Sequence, residues 1–189
     1  MKKFSILPIV LLLSFVLGAC GESKSDLSLL KGSQIVSEDK SVSIILPDDT
    51  FETVSSEGAA LDFESENEGY ISAIKEEDFD ENSLYESVPE TEEELLALYE
   101  NVDADVEVRN FNFKKKMNGT KVYTSTVILK NYVEYEETEP ENFIILENLS
   151  ADGDTYYYAT AEIYDETLID TVTASLYTFG DYEPSSKTE

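Results

Sequence analysis

Carboxylates dominate the side chains of this sequence that could do chemistry. The chain has 189 residues, with 41 Asp and Glu against 13 Lys and Arg, no His and one Cys, so its formal net charge is −28. Without His it lacks the usual general base and the commonest metal ligand. A single Cys cannot supply a Cys-rich zinc site or an internal disulfide. What remains is oxygen chemistry: paired carboxylates for glycoside hydrolysis, or carboxylates around a hard cation such as calcium.

Familiar catalytic and cofactor motifs are missing from the sequence. It contains no GxSxG, P-loop, GxGxxG or HExxH pattern. With so many acids some carboxylate pairs come close by chance, so proximity alone does not indicate catalysis. We therefore expect no enzyme activity, no catalytic residue, no cofactor and no metal, with a carboxylate-based extracytoplasmic hydrolase as the alternative. The negative charge also argues against nucleic-acid binding, which needs clustered cations.

One acidic segment partly matches a calcium-binding loop. Every second residue of Asn101–Glu107 is Asn, Asp or Glu, as in the first ligand positions of an EF-hand. The Gly and Glu required later in that loop are replaced by Val106 and Asn112. The alternation favours the solvent face of a strand. A low-affinity calcium-binding module, formed there or at Glu134–Glu141, stays an alternative.

A group of lysines flanks the turn signal Asn118-Gly119. Because lysines often protect strand edges and solubilise turns, we interpret the group first in that way. A positive patch that touches anionic head groups or an acidic partner is the functional alternative. The residues are Lys114, Lys115, Lys116 and Lys121.

The N-terminus has the pattern of a secretory signal. Lys2 and Lys3 precede an apolar run of 14 residues, Phe4–Leu17, which is shorter than the roughly 20 that a spanning helix needs. The segment Leu17-Gly18-Ala19-Cys20 resembles the lipobox of bacterial lipoproteins, and Cys20 is the only cysteine of the chain. The resemblance implies that residues 1–19 are a signal peptide and that Cys20 carries a lipid whose acyl chains include palmitate.

This interpretation places the protein at the extracytoplasmic face of the cell membrane. Two or more acyl chains give a stable anchor. Anionic lipid would repel so acidic a body, so the lipid must hold it. Residues 20–37 are mostly small and polar and are expected to form a flexible tether, followed by one domain over 38–180 and a disordered tail over 181–189.

Hydrophobic periodicity predicts alternating strands and two helices. A change of apolar parity near Arg109-Asn110 indicates a β-bulge. Thr91 with Glu94 forms a capping box, and Leu95, Leu98 and Tyr99 form the apolar face of that helix. The predicted strands are Val42–Leu46, Ala59–Glu64, Tyr70–Lys75, Val102–Phe113, Val122–Tyr132, Phe143–Leu149 and Thr155–Tyr164, and the helices are Thr91–Glu100 and Glu166–Tyr177, the latter capped by Asp165 and ended by Gly180.

Short connections make the sheet mainly antiparallel, with about six or seven strands covered by two helices: an α+β fold. The predicted elements include a strand ending in Leu46-Pro47-Asp48-Asp49, an acidic helix, two long hairpins and a Tyr-rich strand before the last helix. In this order they resemble the PsbP/DcrB-like sandwich domains. That family has no catalytic signature, and the resemblance implies an accessory role at a membrane. We expect a non-enzymatic binding or accessory module of the cell envelope, with an envelope protein or polymer as partner.

Overall fold

Two antiparallel sheets and two short α-helices form the described part of the chain. The computed structural model describes residues 26–77, 89–115, 121–133, 141–152 and 155–184. The strands are β1 (Gln34–Val36), β2 (Val42–Ile45), β3 (Glu52–Ser55), β4 (Ala60–Ser65), β5 (Gly69–Glu76), β6 (Asp105–Lys115), β7 (Lys121–Tyr132), β8 (Glu141–Asp152), β9 (Thr155–Ile163) and β10 (Gly180–Asp181). The helices are α1 (Glu92–Leu98) and α2 (Ile169–Leu176), with 3-10 helices at Leu27–Leu29 and Glu166–Leu168.

The large sheet has seven strands in the order β3-β4-β5-β9-β8-β7-β6, and β1-β2-β10 form a small sheet. All the paired strands run antiparallel. The predicted α+β class and the predicted antiparallel sheet of six or seven strands with two helices are therefore confirmed.

The main core lies between one face of the large sheet and a layer made of the small sheet and α2. Helix α2 packs on β8, β9 and β2, and its Val172 and Leu176 are buried. This follows from the 3.6-residue period of the helix, which turns apolar side chains three and four positions apart to one side. The largest buried side chains of this core are Ile44, Leu61, Phe63, Ile71, Ile128, Leu146, Ile163 and Leu176.

A second apolar cluster lies on the opposite face of the large sheet, toward β6 and β7. Helix α1 packs against β6 and contributes the fully buried Leu95. Leu98, which was expected on the same apolar face, is instead exposed, because the helix ends there. The buried members of the cluster are Leu95, Tyr123, Val127, Leu129, Leu149 and Tyr156.

Several local features agree with the sequence. The Thr91 side chain accepts a hydrogen bond from the Glu94 backbone N–H at 3.2 Å. Asp165 accepts one from Thr167 N–H at 2.8 Å. The register of β6 against β7 shifts between Val108 and Asn110, so the predicted bulge is confirmed. The bulge directs Arg109 toward Glu166, whose carboxylate it contacts at 2.6 Å.

The folded domain extends beyond the predicted bounds of 38–180. Gln34–Val36 pairs with β2, and Lys31 N–H donates to Pro47 C=O at 2.8 Å, so this half of the expected tether belongs to the fold. The residues of the expected tether are mostly small and polar, and a strand of three residues is too short to show a hydrophobic period. At the other end, Asp181 pairs with Val42 in β10.

Two more differences concern short or unusual segments. Strand β3 was not predicted, because Glu52–Ser55 has one apolar residue and lies at the sheet edge. Gly180 begins β10 and does not end the helix, which ends at Leu176. The turn residues Asn118-Gly119 and most of Glu134–Glu141 lie outside the described residues.

Candidate functional site

A row of polar side chains crosses the large sheet on the face opposite α2. Asp62 on β4 lies opposite Ser72 on β5, and Ser72 lies opposite Thr160 on β9. Thr160 in turn lies opposite Glu147 on β8, which lies opposite Ser125 on β7. Residues directly opposite on neighbouring strands point to the same face. Five strands therefore contribute one continuous line of oxygen-bearing side chains, which we call the polar row.

Glu147 is the best-connected member of the polar row. One carboxylate oxygen accepts hydrogen bonds from the Tyr123 hydroxyl at 2.7 Å and from Ser125 Oγ at 2.6 Å. The other accepts from the Tyr158 hydroxyl at 2.7 Å. Tyr123 and Ser125 are buried, and Tyr158 is half-buried. The three donors fix the orientation of a carboxylate among apolar neighbours.

Asp62 forms a smaller version of the same arrangement at the other end of the polar row. It accepts hydrogen bonds from the Tyr70 hydroxyl at 2.8 Å and from Ser72 Oγ at 2.7 Å. Burial of the phenol, with the neighbouring Asp62 carboxylate, raises the pKa of Tyr70 to about 12. The Tyr70 ring is nevertheless 37% exposed. This end of the row is accessible to a binding partner.

The surroundings of the polar row combine acidic and aromatic side chains. Glu64, Tyr70 and Glu162 follow one another in register on β4, β5 and β9, and all three are exposed. Beyond them, the ring of Tyr164 lies 5.7 Å from that of Phe143 and is exposed. We call the polar row together with Tyr70, Tyr123, Tyr158 and Glu162 the tyrosine–carboxylate face.

The hydrogen bonds around Glu147 use most of the acceptor capacity of its carboxylate. A carboxylate has about four sites for hydrogen-bond donors, and three hydroxyls occupy them here. One site therefore remains for a further donor. The exposed carboxylates and phenols can pair with ammonium or guanidinium groups, which bind both carboxylates and aromatic rings.

Burial raises the pKa of both tyrosines that hold Glu147. For Tyr123 and Tyr158 the loss of water around the phenol is the main cause, and the negative charge of Glu147 adds to it. Ionisation would place two like charges next to each other and remove the hydroxyl donors. Both phenols therefore keep their protons in the folded state well above the pH at which free tyrosine loses its own.

We expect the free energy of unfolding to fall as pH rises above about 10, the ordinary pKa of tyrosine. Above that pH the unfolded chain releases protons that the folded Tyr123 and Tyr158 retain, so rising pH favours unfolding. Each phenol contributes a slope of up to about 1.4 kcal/mol per pH unit. Urea titrations at a series of alkaline pH values measure it.

The variants Tyr123→Phe and Tyr158→Phe test the origin of that slope. Each variant removes one titrating phenol, so the fall in stability with pH should be shallower than in the unchanged protein. Tyr70 should add to the slope only between pH 10 and about 12, because above its raised pKa the folded phenol also loses its proton. Equal slopes in all proteins would show that these phenols are not responsible.

The acidic segment Asn101–Glu107 has the alternating exposure that was predicted, but the strand was expected from Val102 and β6 begins only at Asp105. Glu107 pairs with Lys130 at 2.8 Å, and Asp105 accepts from the Asn131 amide at 2.8 Å. The hydrogen bond from Lys130 lowers the pKa of Glu107. Within the described ranges, no group of three or more Asp, Glu, Cys or His has an arrangement that could hold a metal ion.

The lone cysteine, the lysine group and the three successive tyrosines were also singled out in the sequence. Cys20 and Lys116 lie outside the described residues. Lys114 and Lys115 are exposed at the end of β6, and Lys121 lies 3.6 Å from the Glu90 carboxylate. The predicted alternation of the three successive tyrosines is confirmed, since Tyr156 and Tyr158 lie on one face of β9 and Tyr157 on the other.

A shallow groove of about 600 Å³ lies beside the small sheet, lined by Val36, Ser37, Lys40, Tyr182 and Pro184. It has one charged side chain and no convergent set of polar groups, so it lacks the features that fix a ligand's orientation.

Among the described residues, no helix is both long and apolar enough to cross a bilayer.

No protein-family model matches the sequence, and no curated protein matches it. Solved structures with a similar fold do exist. The Ran-binding protein Mog1p of Saccharomyces cerevisiae aligns over 82% of this chain and 97% of its own, with 12% identity and a TM-score of 0.52. The cyanobacterial PsbP protein CyanoP of Synechocystis sp. PCC 6803 aligns over 88% of this chain and 99% of its own, with 15% identity and a TM-score of 0.49. At 12% identity the likeness to Mog1p concerns the fold alone.

Sequence reasoning did not identify the tyrosine–carboxylate face, although one signal was available. In β8 the two nearest residues with the parity of Glu147 are Ile145 and Leu149, both apolar. An acid at that position must find partners on neighbouring strands, because a buried polar group without them is costly. The partners come from strands that only the fold brings together.

Proposed function

We propose that the protein is a lipid-anchored, extracytoplasmic binding module of the cell envelope, without enzymatic activity. Two kinds of observation support the proposal. The sequence supports the location, because the only cysteine, Cys20, comes directly after an apolar segment and two small residues, Gly18 and Ala19. The fold supplies a surface, the tyrosine–carboxylate face.

The half-exposed polar row carries the binding role. Its accessible end presents the carboxylates of Asp62 and Glu162 beside the exposed ring of Tyr70. Such a surface favours positively charged groups over anionic ones, and the net charge of −28 adds long-range attraction for cations. The partner we propose is an envelope protein or polymer that presents lysine, arginine or other amine groups.

The location is tested by Cys20→Ala. We expect the unchanged protein to remain in the membrane fraction after a carbonate wash and the variant to be released almost completely, because removal of the acyl chains leaves an acidic body that anionic lipid repels. Immunoblots of the fractions measure the distribution. A Cys20→Ala protein that still sediments with membranes would contradict the lipid anchor.

The binding role is tested by a photo-crosslinking amino acid placed at Tyr70, with Gln34 as the control position. Gln34 is exposed on β1 of the small sheet, which packs against the opposite face of the large sheet. In intact cells we expect the Tyr70 probe to capture a discrete species that the Gln34 probe does not. Capture should weaken when Asp62 and Glu162 are both changed to Ala. Identical products from both positions would contradict a role for this face.

A further inference from the structure

The N-terminal 3-10 helix presents two leucines to solvent close to the start of the described chain. Leu27 is 38% exposed and Leu29 is 37% exposed, whereas the next residue, Leu30, is turned further inward. The Asp26 side chain caps the helix by accepting from Ser28 N–H at 3.1 Å. The two exposed leucines therefore belong to one capped, ordered turn.

This 3-10 helix is held firmly against the body of the protein. It packs against α2, and Leu46 N–H donates to Ser33 C=O at 3.1 Å just after it. Gly32 fits so closely there that an added Cβ would lie 2.7 Å from the carbonyl oxygens of Leu46 and Asp48. Because the turn cannot swing freely, the exposed leucines have a fixed direction relative to the sheets.

The distance to Cys20 is short. Asp26 lies six positions after Cys20, and even a fully extended chain of that length spans only about 20 Å. If Cys20 is lipidated, as the proposed function requires, the start of the 3-10 helix stays within about 20 Å of the lipid-bearing residue and therefore close to the membrane surface. Exposed apolar side chains so close to the head groups can gain free energy by entering the interface.

We propose that Leu27 and Leu29 form a membrane-contact site that inserts into the interfacial region of the bilayer and orients the domain. The inference rests on the proposed anchor and adds a defined membrane-facing surface to it. The small sheet and α2 then lie toward the lipid. The tyrosine–carboxylate face, on the opposite side of the large sheet, points away from the bilayer, where an envelope partner can reach it.

Helix α1 offers a matched control. Leu96 is 40% exposed and Leu98 is 58% exposed, so the pair resembles Leu27 and Leu29 in residue type and accessibility. Helix α1 packs against β6 on the face of the large sheet opposite α2. A general affinity of exposed leucines for lipid would affect both pairs, whereas an oriented contact affects only the N-terminal pair.

The absence of Trp from the sequence allows a direct measurement. We would introduce one reporter at a time, Leu29→Trp or Leu98→Trp, into the lipidated protein purified from membranes and reconstituted in phosphatidylcholine vesicles. Brominated phosphatidylcholine quenches tryptophan that lies in the bilayer. We expect a blue-shifted emission and strong loss of fluorescence for Leu29→Trp and neither effect for Leu98→Trp. Leu27→Trp is the second reporter should Leu29→Trp disturb folding, which circular dichroism reports.

The outcomes separate the contact from the anchor. Vesicle flotation without quenching of Leu29→Trp or Leu27→Trp would overturn the contact and leave the anchor intact. Equal quenching of Leu98→Trp would also overturn the oriented contact. If mass spectrometry shows that Cys20 carries no lipid, the proposed anchor fails. The contact is then tested on the chain beginning at Cys20, coupled through its only thiol to a maleimide lipid.

Discussion

Replacing Gly69 with alanine is expected to lower the free energy of unfolding by about 3 kcal/mol or more, since backbone strain and overpacking each cost roughly 1–3 kcal/mol. Gly69 begins β5 with a φ of +135°, which side-chain-bearing residues rarely adopt. It also lies opposite Ile163, where an added Cβ would overlap the backbone carbonyl oxygen of Glu162. Urea denaturation followed by circular dichroism measures the loss.

Two other glycines separate the causes of that effect. Gly58 has a φ of +56° with open space around it, so Gly58→Ala should cost only about 1 kcal/mol, from backbone strain. Gly180 has open space and no positive φ, and Gly180→Ala should change stability by less than about 0.5 kcal/mol. A Gly69→Ala cost no larger than that of Gly58→Ala would show that the β5–β9 contact adjusts easily.

Glu147→Ala is expected to be the second most damaging of these changes, lowering the free energy of unfolding by about 3 kcal/mol. It removes the carboxylate to which three hydroxyls donate, those of Tyr123, Ser125 and Tyr158. A buried polar group that loses its partner costs about 1–3 kcal/mol, and water that enters the half-buried side recovers part of the total. Urea denaturation at neutral pH measures it.

The matched control is Glu162→Ala. Glu162 is an exposed acid on β9 and lies on the same face of the large sheet as Glu147. Its removal should change stability by less than about 0.5 kcal/mol. A double-mutant cycle between Glu147→Ala and Tyr123→Phe should give a coupling energy of roughly 0.5–3 kcal/mol, because the two groups are in direct contact. Equal losses from Glu147→Ala and Glu162→Ala would indicate that the hydroxyl network contributes nothing to stability.

The fold was predictable where the sequence contains local signals. The parity change at Arg109-Asn110, the Asp165 cap and the alternation of Tyr156–Tyr158 each depend on neighbouring residues, and each has its counterpart in the structure. Strands β1, β3 and β10 were missed because they contain two to four residues, too few to show a period. Their existence depends on tertiary pairing with β2 and β4.

The candidate site was harder to predict because its residues are distant in sequence. Asp62 and Thr160 are separated by nearly a hundred positions, and they join one row through Ser72 because β5 pairs with both β4 and β9. That pairing joins the two halves of the chain and has no local turn signal. The acid at an apolar parity, Glu147, marks where a network must form but does not specify its partners.

The small sheet determines how the domain resists mechanical tension. Strands β1 and β10 flank β2 and both run antiparallel to it, so the chain enters β1 beside Ile45 and leaves β10 beside Val42. A pull between the two ends therefore drags these strands along their axes in opposite directions. The hydrogen bonds on both sides of β2 are then loaded in shear, all together, and do not open one after another as in a zipper.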